Sequence, residues 1–458
     1  MRKKVVSVFL CAALGAGMLT GCGSAETSSK TETTKAAQAA TTTEKAEVKE
    51  TKAAEGKTGE VTTVEYMFWG SQDEINTIMA TIDEFNNSHD EIQVKGIGMD
   101  PSVYLQKLSA YASSGTMPDI VQVAIDYGNT YNQKGIFEPL DELLESNGVK
   151  DKVSDSLWGG CSYDGKIYAM PLQASAKMLV GNKTLFEEAG VEFPTESWTE
   201  DEFLAAVEKL TVPEKGQYGI FWGDAPVTEA RALFGNGENE IYDRDNKKMN
   251  AVDNAALKHT WEVMVTGAML ENKTAPTVLS SKDVGGGFET GKYGMAVIGF
   301  WDIASFHKVV QDTFDWDLVP LPISDEFGQW RTRIYANALS IAATSDNKEA
   351  AFEYLKWTLE NREIQTKSVS LPVNQDIVND PAFMTEFPEG SKVYNKQLAF
   401  DALNNGVAWQ NTGAVAEINN NVIRPEIEKL MLKPDETSLD EVLQNIQTNG
   451  QAIFDAEK

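Results

Sequence analysis

Apolar positions along the chain alternate between short continuous runs and longer stretches with helical spacing. The continuous runs predict strands at Val61–Trp69, Glu91–Ile97, Asp119–Ile125, Gln217–Trp222 and Gly294–Trp301. The periodic stretches predict helices over Asp73–Asn87, through Tyr104–Tyr111 and over most of the chain after Val415. Strands that alternate with amphipathic helices are typical of the α/β class. Because these elements follow no fixed short period, the pattern argues against a solenoid or a propeller.

Two local signals refine the predicted helices. Thr199 and Glu202 have the spacing of a capping box, in which each side chain pairs with the backbone of the other residue. A helix should therefore begin immediately after Thr199. Pro425 lies inside a periodic apolar stretch, and because proline lacks a backbone N–H it should kink the helix at that point.

The first 60 residues follow a different pattern. A basic head at residues 2–4 precedes a short apolar stretch that ends at Cys22. This arrangement resembles a bacterial lipoprotein signal peptide, so we expect residues 1–21 to be removed and Cys22 to be lipidated. The alternative is an N-terminal membrane helix with an incidental cysteine, although the stretch is short and glycine-rich for a spanning helix. Residues 22–60 are almost wholly small or polar, which predicts a disordered tether.

This N-terminal pattern also predicts a location. Acyl chains on Cys22 would hold the body at the extracytoplasmic face of the cell membrane, with the tether as a spacer. The membrane contact is thus expected through the lipid anchor alone.

Charge narrows the range of partners. The chain of 458 residues has 69 acidic and 40 basic side chains, a formal net charge of -29. A surface this acidic argues against nucleic acid and against electrostatic docking on anionic lipid. It is compatible with a neutral or a cationic ligand. About 400 residues follow the tether, a length at which more than one lobe is expected.

The sequence indicates neither a cofactor nor a metal. Cys161 is the single cysteine after Cys22, so no disulfide can form within the body. Without a neighbouring base motif, it is expected to fill space in the core. His89, His259 and His307 are widely spaced and show no metal-ligand pattern.

Three predicted strands end on a tryptophan, at Trp69, Trp222 and Trp301. In open α/β sheets, ligands bind beyond the carboxyl ends of the strands. An indole face at that place can stack on the C–H groups of a sugar ring. Each tryptophan could equally be packed within its own lobe, and the pattern leaves both interpretations open. Trp409, in a predicted C-terminal loop, is a fourth candidate.

Polar side chains occupy comparable loop positions. A sugar needs dense hydrogen bonding, because a buried hydroxyl without a partner is costly. The candidates for this role are Asp126, Gln173, Asp224, Asp302 and Asn337. A solvated surface carboxylate is the alternative for each acid in so acidic a chain. That alternative is weakest for Asp126 and Asp302, which lie directly beside predicted buried strands.

Four parts of the chain resemble a known family. They are Asp164–Pro171 with Asn182–Gly190 and Trp198–Glu200, then Pro118–Val121, Phe288–Trp301 and Ala338–Leu359. On these segments the chain is similar to the extracellular solute-binding proteins of bacterial ABC importers, specifically the sugar-binding, maltose-binding-protein-like group. Gly181 departs from the family, which usually has tyrosine there. Val123 stands where the maltose-binding pattern has an aromatic residue, which leaves the particular sugar open.

The resemblance implies a two-lobed periplasmic-binding-protein-like fold with a hinge and an interlobe ligand cleft. Crossing segments are expected near Ala169–Gln173, Tyr335–Leu339 and Leu371–Val373. The implied bounds are residues 61–170 plus 338–370 for lobe 1 and residues 171–337 plus 371–458 for lobe 2.

The resemblance also implies site residues. Asp126 falls where sugar binders of this family place an acid for hydroxyl groups, and Trp301 and Trp409 fall where they place stacking aromatics. Their positions at strand ends add Trp69, Trp222 and Tyr335 to the set.

These expectations combine into one function. A ligand that contacts both lobes stabilises the closed form, because only that form makes both sets of contacts. The chain is therefore expected to capture a mono- or oligosaccharide unchanged, as a monomer and not as an enzyme, and to deliver it to the permease subunits of an ABC transporter. The alternatives are a receptor for a cationic ligand such as a polyamine and a secreted polysaccharide hydrolase with paired carboxylates.

Overall fold

The computed structural model describes the chain with several gaps. The described residues are 49–50, 61–230, 233, 241–243, 246–277, 285–367, 370–386, 394–408 and 413–457. The predicted signal peptide, Cys22 and Trp409 lie outside the described residues, as does most of the predicted tether. Within that tether, Lys49–Glu50 pairs with Ile97 and Gly98 as a short antiparallel strand, where the sequence predicted disorder.

The strands confirm the predicted strand segments to within a few residues. They occupy Lys49–Glu50, Thr62–Trp69, Ile92–Met99, Ile120–Ala124, Ser162–Tyr163, Lys166–Ile167, Met170–Asn182, Tyr218–Phe221, Tyr242–Asp243, Lys248–Met249, Tyr293–Gly299, Trp316–Val319, Ile323–Ser324, Gly328–Gln329, Arg333–Ile341 and Val407–Ala408.

Most of the longer strands form one mixed sheet. Its order is Lys49–Glu50, Ile92–Met99, Thr62–Trp69, Ile120–Ala124, Arg333–Ile341, Met170–Asn182, Tyr293–Gly299 and Tyr218–Phe221. Thr62–Trp69 is parallel to both of its neighbours, as expected where helices connect successive strands. Trp316–Val319 and Val407–Ala408 pair with strands in the middle of the sheet.

Two strands join the halves of this sheet, and we call Met170–Asn182 the first crossing strand and Arg333–Ile341 the second. The first crossing strand pairs with the second over its amino-terminal half. Over its carboxyl-terminal half it pairs with Tyr293–Gly299 and Trp316–Val319. Leu371 forms a bridge to the first crossing strand. The three segments expected to cross between lobes therefore lie side by side.

Helices cover the sheet and dominate the C-terminal region. The α-helices are Gln72–Ser88, Pro101–Ser114, Asn129–Asn132, Asp141–Ser146, Asp155–Gly160, Lys183–Ala189, Glu200–Lys209, Ala225–Thr228, Ala255–Trp261, Ile303–Val309, Lys348–Glu360, Arg362–Lys367, Gln375–Val378, Pro381–Thr385, Lys396–Asn404, Gly413–Ile418, Arg424–Leu432 and Leu439–Ala456. Short 3-10 turns occur at Lys150–Lys152, Pro213–Lys215, Phe288–Thr290 and Phe300–Asp302, and π-helical segments at Glu262–Glu271 and Asn419–Ile423. Across the described ranges, no helix combines the length and the apolar character that crossing a membrane requires.

Both local helix signals have a structural counterpart. Thr199 caps the helix Glu200–Lys209 and Glu202 reciprocates, so the predicted capping box is confirmed. Pro425 lies in the first turn of Arg424–Leu432, directly after the π-helical segment Asn419–Ile423. The helical run is continuous from Gly413 to Leu432, so Pro425 lies in its interior, where proline lacks the N–H that an unbroken helix would use. The π-helical segment is the irregularity that lies beside Pro425, and the kink itself stays a prediction.

The core has two clusters of buried apolar side chains. The first surrounds the strands from Val64 to Val180 and includes Phe68 and Ile120. The second includes Phe203, Trp222 and the C-terminal helices. Cys161 is buried in the first cluster, and burial raises the pKa of its thiol well above the ordinary value, so it fills space as predicted.

A buried polar group holds three parts of the second cluster together. Glu200 lies at the head of its helix, and its Oε1 is 2.6 Å from Nε2 of His259. Trp330 donates from Nε1 to Oε2 of Glu200 at 2.8 Å. The hydrogen bond to Glu200 raises the pKa of His259, while partial burial opposes the shift. Protonation of His259 is therefore coupled to the folded state.

This contact should make stability depend on pH. A group whose pKa is raised by folding contributes stability that is complete below its unfolded value, near 6.5 for histidine, and is lost as pH rises through the folded value. We expect the free energy of unfolding, measured with urea, to fall over that interval in the wild type and to lose this slope in His259→Gln. Lys258→Gln, which removes a neighbouring charge that does not titrate there, should keep the slope. Equal slopes in all three proteins would contradict the assignment.

Candidate functional site

One face of the two crossing strands is polar. Alternation along the first crossing strand places Gln173, Ser175 and Lys177 on this face, and their neighbours Ala174 and Ala176 on the opposite, buried face. The cross-strand register then places the partners on the second crossing strand. Gln173 lies opposite Asn337, and Ser175 lies opposite Tyr335. We call the following set the polar crossing face: Gln173, Ser175, Lys177, Arg333, Tyr335 and Asn337.

Lys177 is the residue of this face around which several charged side chains gather. Its side chain is buried, yet its Nζ donates to Oδ1 of Asp224 at 2.6 Å and to Oγ1 of Thr228 at 3.2 Å. The same Nζ is 3.6 Å from Oε1 of Glu229. These partners come from the helix Ala225–Thr228 and its two flanking residues. A buried ammonium is tolerated here because carboxylates surround it.

Glu229 binds the second crossing strand to this cluster. It is 2% exposed, and its Oε2 accepts a hydrogen bond from the backbone N–H of Arg333 at 2.9 Å. Its Oε1 accepts from the hydroxyl of Tyr335 at 2.6 Å. Burial, and then the charge of Glu229, raise the pKa of Tyr335 far above its ordinary value, so the phenol remains a hydrogen-bond donor. Both crossing strands are thereby held to the helix Ala225–Thr228.

Asp126 approaches the polar crossing face from the neighbouring strand, which pairs with the second crossing strand. It follows the strand Ile120–Ala124, and the loop is anchored where Ile125 N–H donates to Ala336 O at 3.1 Å. Oδ2 of Asp126 accepts from Nη2 of Arg333 at 2.9 Å. Oδ1 is buried and, among the described residues, finds no hydrogen-bond partner. Asp126 therefore lies beside the polar crossing face, and its Oδ1 can accept a further hydrogen bond.

The indole of Trp301 stands at the edge of this face. Its turn, Phe300–Asp302, follows the strand Tyr293–Gly299, whose last residue lies opposite Lys177. The indole is 38% exposed, and its ring centroid is 5.1 Å from that of Tyr335 in an edge-on arrangement. A Cβ on Gly299 would come within 2.1 Å of the indole, so only glycine permits this position.

Asp302 is positioned by the same turn. Its Oδ2 accepts from the backbone N–H of Gly299 at 2.9 Å. Burial raises the pKa of Asp302, and the charges of Glu289 and Asp224 act in the same direction. The Gly299 hydrogen bond and the Lys177 ammonium oppose that rise. Three of the predicted groups, Trp301, Asp302 and Asp224, thus lie around Lys177.

The other predicted tryptophans have different environments. Trp69 is partly buried, packs edge-on against Tyr104 at 4.7 Å, and lies 6.4 Å from the ring of Tyr127, the residue after Asp126. Trp222 is 1% exposed, within the second core cluster. It packs on the rings of Phe203 and Trp330, at 6.0 and 6.1 Å. The prediction of Trp222 as a stacking residue is therefore wrong, because no face of its indole is accessible. Trp409 lies outside the described residues.

Sequence reasoning missed Lys177, Arg333 and Glu229. The two cations carry a visible signal, since each is the single charged residue of its crossing strand. Such a charge in a buried strand must have a partner. Glu229 carries no comparable signal, because its role depends on contacts with strands that are distant in the chain.

A cavity of about 520 Å³ lies elsewhere, lined by Met178, Val319, Leu321 and Trp330 among others. Met178 points to the face opposite Lys177, and no predicted site residue lines this cavity. It is therefore separate from the polar crossing face.

Comparison with known proteins places this geometry in context. The model of the family "bacterial extracellular solute-binding protein" matches residues 69–363. The mannitol-binding protein of Pseudomonas aeruginosa is 27% identical over 286 residues, which are 60% of this chain and 63% of that protein. The maltotriose-binding protein of Pyrococcus abyssi is 26% identical over 357 residues, which are 73% of this chain and 72% of that protein.

A solved structure shows the fold. The sugar-binding protein MalE from Xanthomonas citri aligns with a TM-score of 0.73 and 17% identity, over 86% of this chain and 98% of that one. The expected α/β fold of the two-lobed periplasmic-binding-protein type is thereby confirmed. The hinge and the interlobe ligand cleft stay predictions.

Proposed function

The chain belongs to the family of bacterial extracellular solute-binding proteins, and from that premise we propose that it is the carbohydrate-binding component of an ABC transporter. The ligand binds on the polar crossing face and against Trp301. The protein then releases the ligand without any chemical change to it.

One observation carries this proposal: an exposed indole stands beside a row of polar side chains on the crossing strands. A sugar ring presents apolar C–H faces and a rim of hydroxyls. The face of Trp301 suits the first, and Gln173, Asn337 and Asp302 suit the second. The free Oδ1 of Asp126 would accept a hydrogen bond from a hydroxyl group, which removes the cost of a buried acceptor without a partner. Trp69 and Tyr335 line the approach as further aromatic contacts.

Closure couples binding to recognition. We assign residues 61–170 plus 338–370 to one lobe and residues 171–337 plus 371–458 to the other, so that two of the bounds fall within the crossing strands. A ligand held by Asp126 from one lobe and Trp301 from the other favours the closed form by its differential contacts. Permease subunits would then recognise the closed shape of a monomeric receptor.

The N-terminal pattern supports a place for this receptor. Cys22, lipidated after removal of residues 1–21, would anchor the chain at the extracytoplasmic face of the cell membrane. Residues 22–60 would span the distance between the anchor and the folded body.

The test uses the full chain and intrinsic tryptophan fluorescence against a panel of neutral saccharides, uronates and polyamines. We expect a saturable change with a neutral saccharide, which chromatography then recovers intact. A response confined to polyamines would overturn the carbohydrate assignment. Hydrolysis of the recovered saccharide would overturn the assignment as a binding protein.

A further inference from the structure

A second cavity adjoins the polar crossing face. It has a volume of about 280 Å³ and lies beyond the carboxyl end of the strand Tyr218–Phe221, where α/β sheets bind ligands. Asp224 belongs to both places, since it lines the cavity and its Oδ1 accepts from Lys177 Nζ at 2.6 Å. The cavity is thus a direct extension of the proposed ligand site.

The walls and the rim of this cavity differ in character. The walls include the buried side chains of Pro226, Pro276 and Met431. The rim carries Arg424 and Glu428, whose Nη1 and Oε1 are 3.6 Å apart and whose side chains are nearly half exposed. Apolar walls with a rim of charge-assisted donors and acceptors match a sugar ring with its hydroxyls. The volume is close to the lower limit of small-molecule sites, about 300 Å³, and therefore suits one ring.

We propose that this cavity is a second sugar subsite, so that the ligand is an oligosaccharide of at least two units that passes over Asp224. One unit occupies the polar crossing face and the next is held by Arg424 and Glu428. The inference rests on the proposed carbohydrate function and specifies the length of the ligand.

The first test compares ligands by length. Titration calorimetry would measure the Kd of glucose, galactose, mannose and xylose, and the Kd of the di- and trisaccharides built from each of them. In whichever of these series binds, we expect the oligosaccharide to bind at least about tenfold tighter than the monosaccharide, a difference of about 1.4 kcal/mol. A monosaccharide that binds as tightly as its oligomers would overturn the subsite and leave the proposed function intact. Failure of every saccharide would overturn the proposed function itself.

The second test removes the rim. The double variant Arg424→Ala/Glu428→Ala should lower oligosaccharide affinity about tenfold and leave monosaccharide affinity unchanged. The control is Lys433→Ala/Glu436→Ala, which removes another exposed ion pair of the C-terminal region, 3.3 Å apart, that does not line the cavity. Both pairs are exposed, so both variants should fold. Two results would contradict the subsite. Loss of the rim pair could leave oligosaccharide affinity unchanged, or it could lower the affinities for the monosaccharide and the oligosaccharide equally.

Discussion

Glu229→Ala should destabilise the protein by about 3–5 kcal/mol, the usual cost of removing one partner of a buried ion pair. Among the described residues, the substitution leaves Asp224 as the one carboxylate within 4 Å of the Lys177 ammonium. It also deprives the Arg333 N–H and the Tyr335 hydroxyl of their acceptor. The free energy of unfolding from urea denaturation measures the effect.

The control for Glu229→Ala is a glutamate in a closer but more exposed ion pair. Glu360 accepts from Lys152 Nζ at 2.7 Å, and both side chains are about one-third exposed. Glu360→Ala should cost less than about 1 kcal/mol, because solvent screens an exposed pair. If Glu229→Ala cost no more than Glu360→Ala, the cluster around Lys177 would not hold the crossing strands. Partial recovery in Lys177→Met/Glu229→Leu would show that the unpaired charge causes the loss.

Trp301→Ala should lower the affinity for the saccharide by about tenfold to a hundredfold, or ~1.4–2.8 kcal/mol. The exposed indole is the apolar surface that a sugar face can cover, and alanine removes it. Stability should change little, since substitutions of exposed side chains shift the free energy of unfolding by about 0.5 kcal/mol. Fluorescence titration and thermal melting measure the two effects.

Trp357→Ala is the matched control for Trp301→Ala. Trp357 packs against Phe85 at 5.3 Å and Tyr354 at 6.2 Å, on the helix Lys348–Glu360. Its loss should lower the melting temperature and leave saccharide affinity unchanged, the reverse of the Trp301 result. A Trp301→Ala variant that melts early and binds normally would place Trp301 in the core and remove the main support for the stacking role.

The ends of two strands show what a local sequence pattern can and cannot predict about the position of a tryptophan. Trp222 and Trp301 both follow apolar runs, and the same rule placed both in the cleft. The structure separates them, because Trp222 turns into a cluster with Phe203 and Trp330, whereas the turn Phe300–Asp302 holds Trp301 out of the core. Neither Phe203 nor Trp330 is near Trp222 in the chain, so no local pattern could report the difference.

Hydrophobic periodicity by itself determined the α/β class and most strand positions, and the capping box of Thr199 and Glu202 determined the start of the helix at Glu200. These features depend on neighbours within a few residues. The carboxylate of Asp126 at the end of a buried strand was equally visible. Only the tertiary structure decided which side chains face each other across the crossing strands. That outcome depends on register between segments far apart in the chain, and a shift of one residue would turn Lys177 and Arg333 away from Glu229 and Asp126.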